Sequence, residues 1–276
     1  MKNILLLKNI EVIDATAYSS PFSIGFPSIT SFLGFSHALQ IKLNKKYKNI
    51  KFISTGIISH KFEINEYKDI YTDKINCELY PIKKDTTKAS IVQNPKCSMT
   101  ISLIIEYKGV DKKDEEEVLR DIKNAMYYMR ISGGDIFNFD YPKFKIILDD
   151  KTLKKVKNEV MPGYAIIDST FLIDDYNDFD GIIDYIKMTK QFDISKDKYT
   201  TIKKDNGWLI PLSIGYNPVS DFCEVQNQRS YEYKHRFVEN LITLGEFIMP
   251  YKIDDLDEIM WQHCFENDRY ICKQVN

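Results

Sequence analysis

The fold of this chain is decided early, by residues 4–39, which read ILLLKNIEVIDATAYSSPFSIGFPSITSFLGFSHAL. The first part, residues 4–13, is rich in Ile, Leu and Val and predicts a strand. A loop punctuated by Gly and Pro follows, and from Ile29 onward the apolar residues recur near helical spacing. The pattern therefore predicts a helix over residues 28–46, with Pro27 at its first turn.

The remainder of the first half continues this alternation of strands and helices. Apolar and alternating runs predict strands over residues 51–64, 99–107 and 144–148. In residues 99–107 one face is more apolar than the other, which favours a sheet covered on one side only. An amphipathic run over residues 114–130, acidic at its start, predicts a second helix that stops at Ser132-Gly133-Gly134.

The order strand, helix, strand, strand, helix, strand is that of the ferredoxin-like arrangement, which many RNA-binding domains share. We therefore expect an α+β fold with a ferredoxin-like (RRM-like) core in residues 1–150. The polar, Lys-rich segment at about residues 65–96 interrupts this order and is predicted to be an inserted arm between two strands.

Residues 151–276 are predicted to form a C-terminal α/β extension packed on the core as one unit, because no repeat or flexible linker separates them. Strands are expected over residues 164–173 and 208–214, and a helix over residues 179–189. The spacing of Phe237, Leu241, Leu244 and Ile248 predicts another helix. Asp254 is a candidate cap for a last helix.

Composition excludes several classes of protein. The chain of 276 residues is 43% hydrophobic and 28% charged, as expected of a globular protein with a sizeable core. No apolar run approaches a membrane span, so no membrane partner is expected. The five cysteines are scattered, without a CxxC pair or a zinc-like spacing, which favours unpaired thiols in a reducing cytoplasm. No metal or other cofactor is expected.

The charge balance argues against a free-standing nucleic-acid binder. The net charge is −2, so electrostatics alone will not give tight RNA binding. The charges are segregated, however. Lysines cluster within residues 42–51 and 151–157, whereas acidic blocks lie at residues 114–117, 174–175 and 254–255.

Four sets of segments, in order along most of the chain, carry a resemblance to a known family. They are residues 4–39; HKFE (60–63), SIVQ (90–93) and 99–107; MRISGGDI (129–136) and MPGYA (161–165); and GWLIPL (207–212), GY (215–216), HRFVE (235–239) and LGEF (244–247) with Trp261. The chain resembles the Csy2 family of type I-F CRISPR systems, within the repeat-associated RNA-binding superfamily.

The resemblance implies a non-catalytic subunit of a type I-F effector complex (Csy complex, or Cascade) that serves antiviral defence. Its implied partners are the large subunit, the 5′ handle of the CRISPR RNA, the adjacent backbone subunit and, through the complex, target DNA. The chain uses Lys far more than Arg, and only Arg makes bidentate planar contacts, so the detailed handle contacts of relatives need not transfer.

Two glycine-containing loops and a few aromatic, histidine and arginine side chains are the candidate RNA-binding residues. They are Gly25, Phe26, Pro27, Ser28, His60, Phe62, Arg130, Ser132, Gly133, Gly134 and Arg236. Glycines let a backbone approach a phosphate, helix N-termini bind phosphates, and an aromatic ring can stack on a base. Proteins of the superfamily carry a glycine-rich loop after the second helix, at the place of Ser132–Gly134.

Each candidate also has a purely structural interpretation. Ser132–Gly134 can be a helix stop, and Gly25–Ser28 a chain reversal. His60, expected on the same strand face as Phe62, can be a partly buried structural histidine. Arg236 can pair with Glu239 one helical turn away.

Two other functions stay open at this point. Some relatives in the superfamily cut CRISPR RNA, using histidine for general acid–base catalysis, so a processing endoribonuclease is one alternative. Only His37 and His60 precede the glycine-rich loop, and neither has an evident partner in the sequence. The other alternative is a structural subunit that contacts protein only.

Overall fold

A computed structural model of the chain describes residues 1–68, 73–75, 77–78, 85–87, 94–193, 198–205, 207–226, 228 and 230–275. The helices are α1 (Ile29–Asn44), α2 (Glu115–Met126), α3 (Asp150–Glu159) and α4 (Phe179–Ile186). Short 3-10 helices span Lys112–Asp114, Thr170–Leu172, Pro250–Lys252 and Leu256–Ile259.

The strands fall into two groups along the chain. The strands of the first half are β1 (Lys2–Thr16), β2 (Tyr18–Ser20), β3 (Ser23–Ile24), β4 (Lys51–Ile64), β5 (Glu66–Lys68), β6 (Asp73–Ile75), β7 (Cys77–Glu78), β8 (Asn94–Lys108), β9 (Arg130–Ile131), β10 (Gly134–Asn138) and β11 (Lys143–Ile147). Those of the second half are β12 (Tyr164–Asp168), β13 (Thr189–Asp193), β14 (Lys198–Ile202), β15 (Leu209–Pro218), β16 (Val238–Ile248), β17 (Met260–Glu266) and β18 (Arg269–Gln274).

The long strands of the first half form an antiparallel sheet. β1 pairs with β8 on one side and with β10 and β11 on the other, and β8 pairs with β4. The predicted strands over residues 4–13, 51–64, 99–107 and 144–148 are confirmed, as is the predicted helix over residues 28–46. The second helix exists but ends at Met126, before the predicted end at Arg130.

Both faces of this sheet are covered, which explains the unbroken apolar run at its start. Leu5 and Leu7 belong to a core shared with α1 and α2, whereas Ile4 and Leu6 belong to a second core shared with α3 and the residues around Leu256. A strand buried on both faces loses its period-two alternation. The expectation that residues 99–107 lie in a sheet covered on one side is therefore wrong, because Ile104 is buried in the second core.

Strands of the second half extend the same sheet and close it on itself. β4 pairs with β17 at Gly56 and Thr55, and with β12 at Ser59 and Ile58. The order β12–β16–β15–β18–β17–β4 thus forms a ring among the described strands. Inside the ring the indole N–H of fully buried Trp261 donates to the Ile166 carbonyl oxygen at 2.9 Å. The division of the chain at residue 150 stays a prediction.

The predicted helix around Leu241 and Leu244 is wrong, because this segment is strand β16. Residues 241–245 are buried in succession, as in a strand covered on both faces, and their apolar run only mimics helical spacing. The predicted last helix is the 3-10 turn Leu256–Ile259. Its cap is Asp255 rather than Asp254, and Met260 already begins β17.

Much of the predicted arm lies outside the described residues, as do residues 90–93. Its base is described: Ile64 pairs with Cys97, and the Asn65 N–H donates to the Lys96 carbonyl oxygen at 2.9 Å. The described pieces include β5 paired with β6. Within the described part of the chain, no helix is long and apolar enough to cross a membrane.

Candidate nucleic-acid interface

Two of the loops that the sequence singles out meet at one open cleft of 630 Å³. One is the start of α1, and the other is the turn between β9 and β10. They are joined through the end of β1, where the Thr16 N–H donates to the Ser132 carbonyl oxygen at 2.8 Å. The cleft is lined by residues without charge: Thr16, Ser28, Thr30, Ser31, Ser132, Gly133, Tyr216 and Tyr270.

The α1 side of the cleft has the character of an anion site. Ser28 is the N-cap residue, but its side chain does not cap the helix; its hydroxyl lies 2.9 Å from Thr30 Oγ1 instead. The first turn carries no acidic residue. The amides at a helix N-terminus lack intrahelical partners and carry the positive end of the helix dipole. A phosphate placed beside Ser28 and Thr30 would therefore be stabilised.

The opposite side is a tight hairpin turn, so the helix-stop interpretation of Ser132–Gly134 is wrong. Ile131 pairs with Gly134, which leaves Ser132 and Gly133 as a two-residue turn with φ of 50° and 76°. Two positive φ values are the signature of a type I′ turn. A Cβ on Gly133 would meet only Thr16 Oγ1, at 3.6 Å, whereas one on Gly134 would lie 2.6 Å from the Ala15 nitrogen. Gly133 thus lines the cleft, and Gly134 lets β10 approach β1.

The other residues of the first loop serve the core. Phe26 is 4% exposed, and its ring centre lies 5.5 Å from those of Phe32, Phe62 and Phe247. The ring therefore offers no surface for base stacking, and partly buried Phe62 packs against the same core. The Gly25 N–H donates to the Ala17 carbonyl oxygen at 2.8 Å, and Pro27 is buried, as expected for chain reversal into α1.

His60 is held by two hydrogen bonds. Its Nδ1 lies 2.6 Å from the Pro162 carbonyl oxygen and its Nε2 lies 2.6 Å from Ser102 Oγ. Because a carbonyl only accepts, Nδ1 is the donor in the bond to Pro162. A bulge between Ser59 and Lys61 separates His60 from Phe62, which packs against the aromatic cluster, so the predicted common face is wrong.

The two candidate arginines are already ion-paired. Arg130 Nε donates to Asp135 Oδ1 at 2.8 Å, beside the hairpin turn, and both side chains are exposed. Arg236 makes a bidentate pair with Asp268 at 2.9 and 2.7 Å, which raises the pKa of the guanidinium. The predicted Arg236–Glu239 pair is wrong, since Glu239 accepts from Asn217 instead. Arg236 is not among the residues that line the cleft.

The sequence did not single out most of the cleft's hydroxyl-bearing residues. Tyr216 and Tyr270 come from strands far apart in the chain and meet because β15 pairs with β18. Burial raises the pKa of Tyr270, so its hydroxyl stays neutral. Tyr216 lies in one of the segments that carry the family resemblance, whereas nothing local marks Tyr270. Only long-range packing brings it to the same cleft as Ser31.

Comparison with known proteins places the chain in the class of CRISPR-associated proteins. A family described as CRISPR-associated protein (Cas_Csy2) matches residues 5–272. The CRISPR-associated protein Csy2 of Pseudomonas aeruginosa (strain UCBPP-PA14) is 27% identical over 96% of this chain and 93% of its own length. The chain belongs to the Csy2 family, and is thus a subunit of a type I-F CRISPR effector.

Proposed function

We propose that this chain is a non-catalytic subunit that holds the 5′ handle of the CRISPR RNA, in the cytoplasm and paired with the large subunit of the effector. The adjacent backbone subunit continues along the RNA. The handle phosphates lie in the cleft between the start of α1 and the Ser132–Gly133 turn. The ferredoxin-like core is part of this proposal; the antiparallel order β11–β1–β8–β4, with α1 and α2 on one face, supports it.

The observation that carries the proposal is the convergence of two separately predicted phosphate-binding loops on one cleft. Ser28 and Ser132 are 104 positions apart in the sequence, yet both line it. Uncapped helix amides and several hydroxyl groups supply hydrogen-bond donors without a formal charge. Such donors can fix the position of an RNA phosphate, and the helix dipole favours its negative charge.

The proposed RNA-binding mode differs from that of RNA-recognition motifs, because the sheet face that those domains use is covered here. In those domains an open sheet face stacks bases, but here the second face of the β4–β8–β1 sheet is covered by α3 and residues near Leu256. The cleft at the end of β1 is the alternative route for RNA across this core.

The endoribonuclease alternative draws no support from the histidines that precede the hairpin. His60 is engaged at both ring nitrogens, by Pro162 and Ser102. His37 is exposed on α1, with its ring centre 6.4 Å from that of His263. Neither histidine is among the residues that line the cleft.

A charge placed at the helix start tests the proposal. Thr30→Glu adds a carboxylate to the first turn of α1, where a negative charge stabilises a helix by about 0.3–1 kcal/mol. We expect the melting temperature to hold or rise while affinity for handle RNA falls about tenfold, through repulsion of phosphate. Binding titrations on the chain with its large subunit measure this.

Two controls isolate the charge and its place. Thr30→Gln has nearly the same size without the charge and should lose much less affinity. Lys151→Glu puts an acidic residue in the first turn of α3, away from the cleft lining, and should leave binding nearly unchanged. Equal losses for Thr30→Glu and Lys151→Glu would contradict the proposed site. If this chain and the large subunit assemble normally but the pair binds no RNA, the result would favour the alternative of a structural subunit that contacts protein only.

A further inference from the structure

A row of aromatic side chains continues the cleft onto the C-terminal strands. Tyr216 of β15 and Tyr270 of β18 line the cleft and are directly opposite each other in the ladder. Phe265 of β17 is directly opposite Tyr270 on the other side. His263 lies two residues before Phe265 and so projects from the same face of the sheet. We call these four residues the aromatic row.

The other three rings of the aromatic row, those of Tyr216, His263 and Phe265, each lie next to the ring of Tyr270. The ring centre of Tyr270 lies 6.2 Å from that of Tyr216 at an interplanar angle of 28°, and 6.1 Å from that of His263 at 21°. Phe265 meets Tyr270 at 5.5 Å and 67°. The rings of Tyr216 and His263 therefore each lie roughly parallel to the ring of Tyr270 and at similar distances from it, whereas the ring of Phe265 stands across that of Tyr270.

The row lies at the edge of the main core, and its central ring, that of Tyr270, is partly buried against that core. On the same face of β17 and β18, Trp261 and Cys272 are fully buried. Beyond them, His263 is exposed and Phe265 is 76% exposed. A single exposed apolar residue is ordinary. Here three rings surround Tyr270 on neighbouring strands, beside a cleft of hydroxyls and helix amides, so the surface has a polar end and an aromatic end.

We propose that the aromatic row stacks unpaired nucleobases of the same RNA strand whose phosphates lie in the cleft. This inference rests on the proposed function and adds the base-binding surface to it. Phosphate donors followed by aromatic rings match the two chemical faces of a single strand, and every base has a π face that such rings accept without regard to sequence. A duplex keeps its bases stacked on each other, so the occupant is single-stranded.

Comparison of two probes separates base contacts from backbone contacts. The full chain with its large subunit is titrated with a uridine oligomer of about eight nucleotides, and with an abasic strand of the same length and charge. We expect Phe265→Ala to weaken binding of the oligomer about tenfold and to leave binding of the abasic strand unchanged. Phe265→Tyr, which keeps the ring, should restore the wild-type value.

Phe171→Ala is the matched control, since Phe171 is 80% exposed on the 3-10 helix Thr170–Leu172, outside the aromatic row. It should change neither titration. Photo-crosslinking with iodouridine placed at single positions should give adducts on Tyr216, His263, Phe265 or Tyr270. Their mass-spectrometric detection does not depend on affinity.

The outcomes separate the inference from the proposed function. Suppose that Thr30→Glu weakens RNA binding, that Phe265→Ala does not, and that no adduct maps to β17 or β18. The aromatic row then does not bind bases, whereas the proposed phosphate binding in the cleft is retained. If Phe265→Ala releases the large subunit while RNA binding persists, the row is a protein contact and the inference is wrong. If neither the chain alone nor the chain with its large subunit binds the uridine oligomer or the abasic strand, both the proposed function and this inference are wrong.

Discussion

Gly133 and Gly134 are adjacent in sequence but are required for different reasons. At Gly133 the reason is conformation: φ is 76°, and the nearest atom to an added Cβ is 3.6 Å away. At Gly134 the reason is space, because an added Cβ would lie 2.6–2.7 Å from Ala15 backbone atoms and from the Ile13 carbonyl oxygen. The sequence pattern could flag the pair, but only the packing of β10 on β1 assigns the separate roles.

We therefore predict that the two alanine substitutions differ in kind. Gly134→Ala should lower the free energy of unfolding by about 3 kcal/mol, since backbone atoms cannot yield as a flexible side chain can. Gly133→Ala should cost about 1 kcal/mol, from the positive φ alone. Denaturant unfolding of both variants measures this, and equal costs would show that the hairpin relaxes to admit the Gly134 side chain.

At the scale of elements, the sequence predicts best where a segment buries one face and a loop marks its end. The sequence predicts α1 nearly to the residue, because Pro27 and Ser28 mark its start and its apolar residues follow helical spacing. For β16 the sequence wrongly predicts a helix, because a strand buried on both faces loses the period of two that would identify it. At Ser132–Gly134 the sequence wrongly predicts a helix stop, because Ser-Gly-Gly suits both a helix end and a tight hairpin turn. The lining of the cleft, shared by β1, α1, β15 and β18, depends on long-range pairing that no local pattern encodes.

The base of the arm allows an element-scale prediction. Because Ile64 pairs with Cys97 and the Asn65 N–H donates to Lys96, the β4–β8 ladder is complete up to the point where the arm leaves it. Replacing residues 67–93 with a short turn of Asn and Gly, which suits a hairpin, should leave the melting temperature within a few degrees of wild type.

The same deletion should impair assembly onto guide RNA, since we expect the polar, Lys-rich arm to reach toward RNA or the next subunit. Size-exclusion chromatography of the reconstituted complex, with RNA absorbance as the readout, checks this. A deletion variant that assembles as well as the full chain would remove the arm from the RNA-binding surface, while a variant that fails to fold would contradict the independence of the β4–β8 ladder.

At the scale of the whole molecule, charge limits what the chain can do alone. The net charge is −2, and several cations are already engaged internally. Lys46 pairs with Glu117 and Asp121, Lys157 donates to the Ile253 carbonyl oxygen, and Arg236 pairs with Asp268. The proposed cleft contributes donors but no formal charge. Counterion release, a main source of affinity for many nucleic-acid binders, should therefore contribute little to the proposed RNA binding by this chain.

The isolated chain should accordingly bind handle RNA weakly and with a shallow salt dependence. For single strands the slope of log affinity against log salt is about −0.7 per phosphate neutralised by Lys or Arg, so one or two such contacts outside the uncharged cleft would give a slope near −1. High affinity should appear only when the large subunit joins, because two surfaces then share the cost of ordering a flexible strand. Titrations of the chain, the large subunit and the pair at low and moderate salt measure both quantities. Tight, handle-specific binding by the chain alone would mean that the RNA-binding site is complete without the large subunit. RNA cleavage in any of these mixtures would instead support the endoribonuclease alternative.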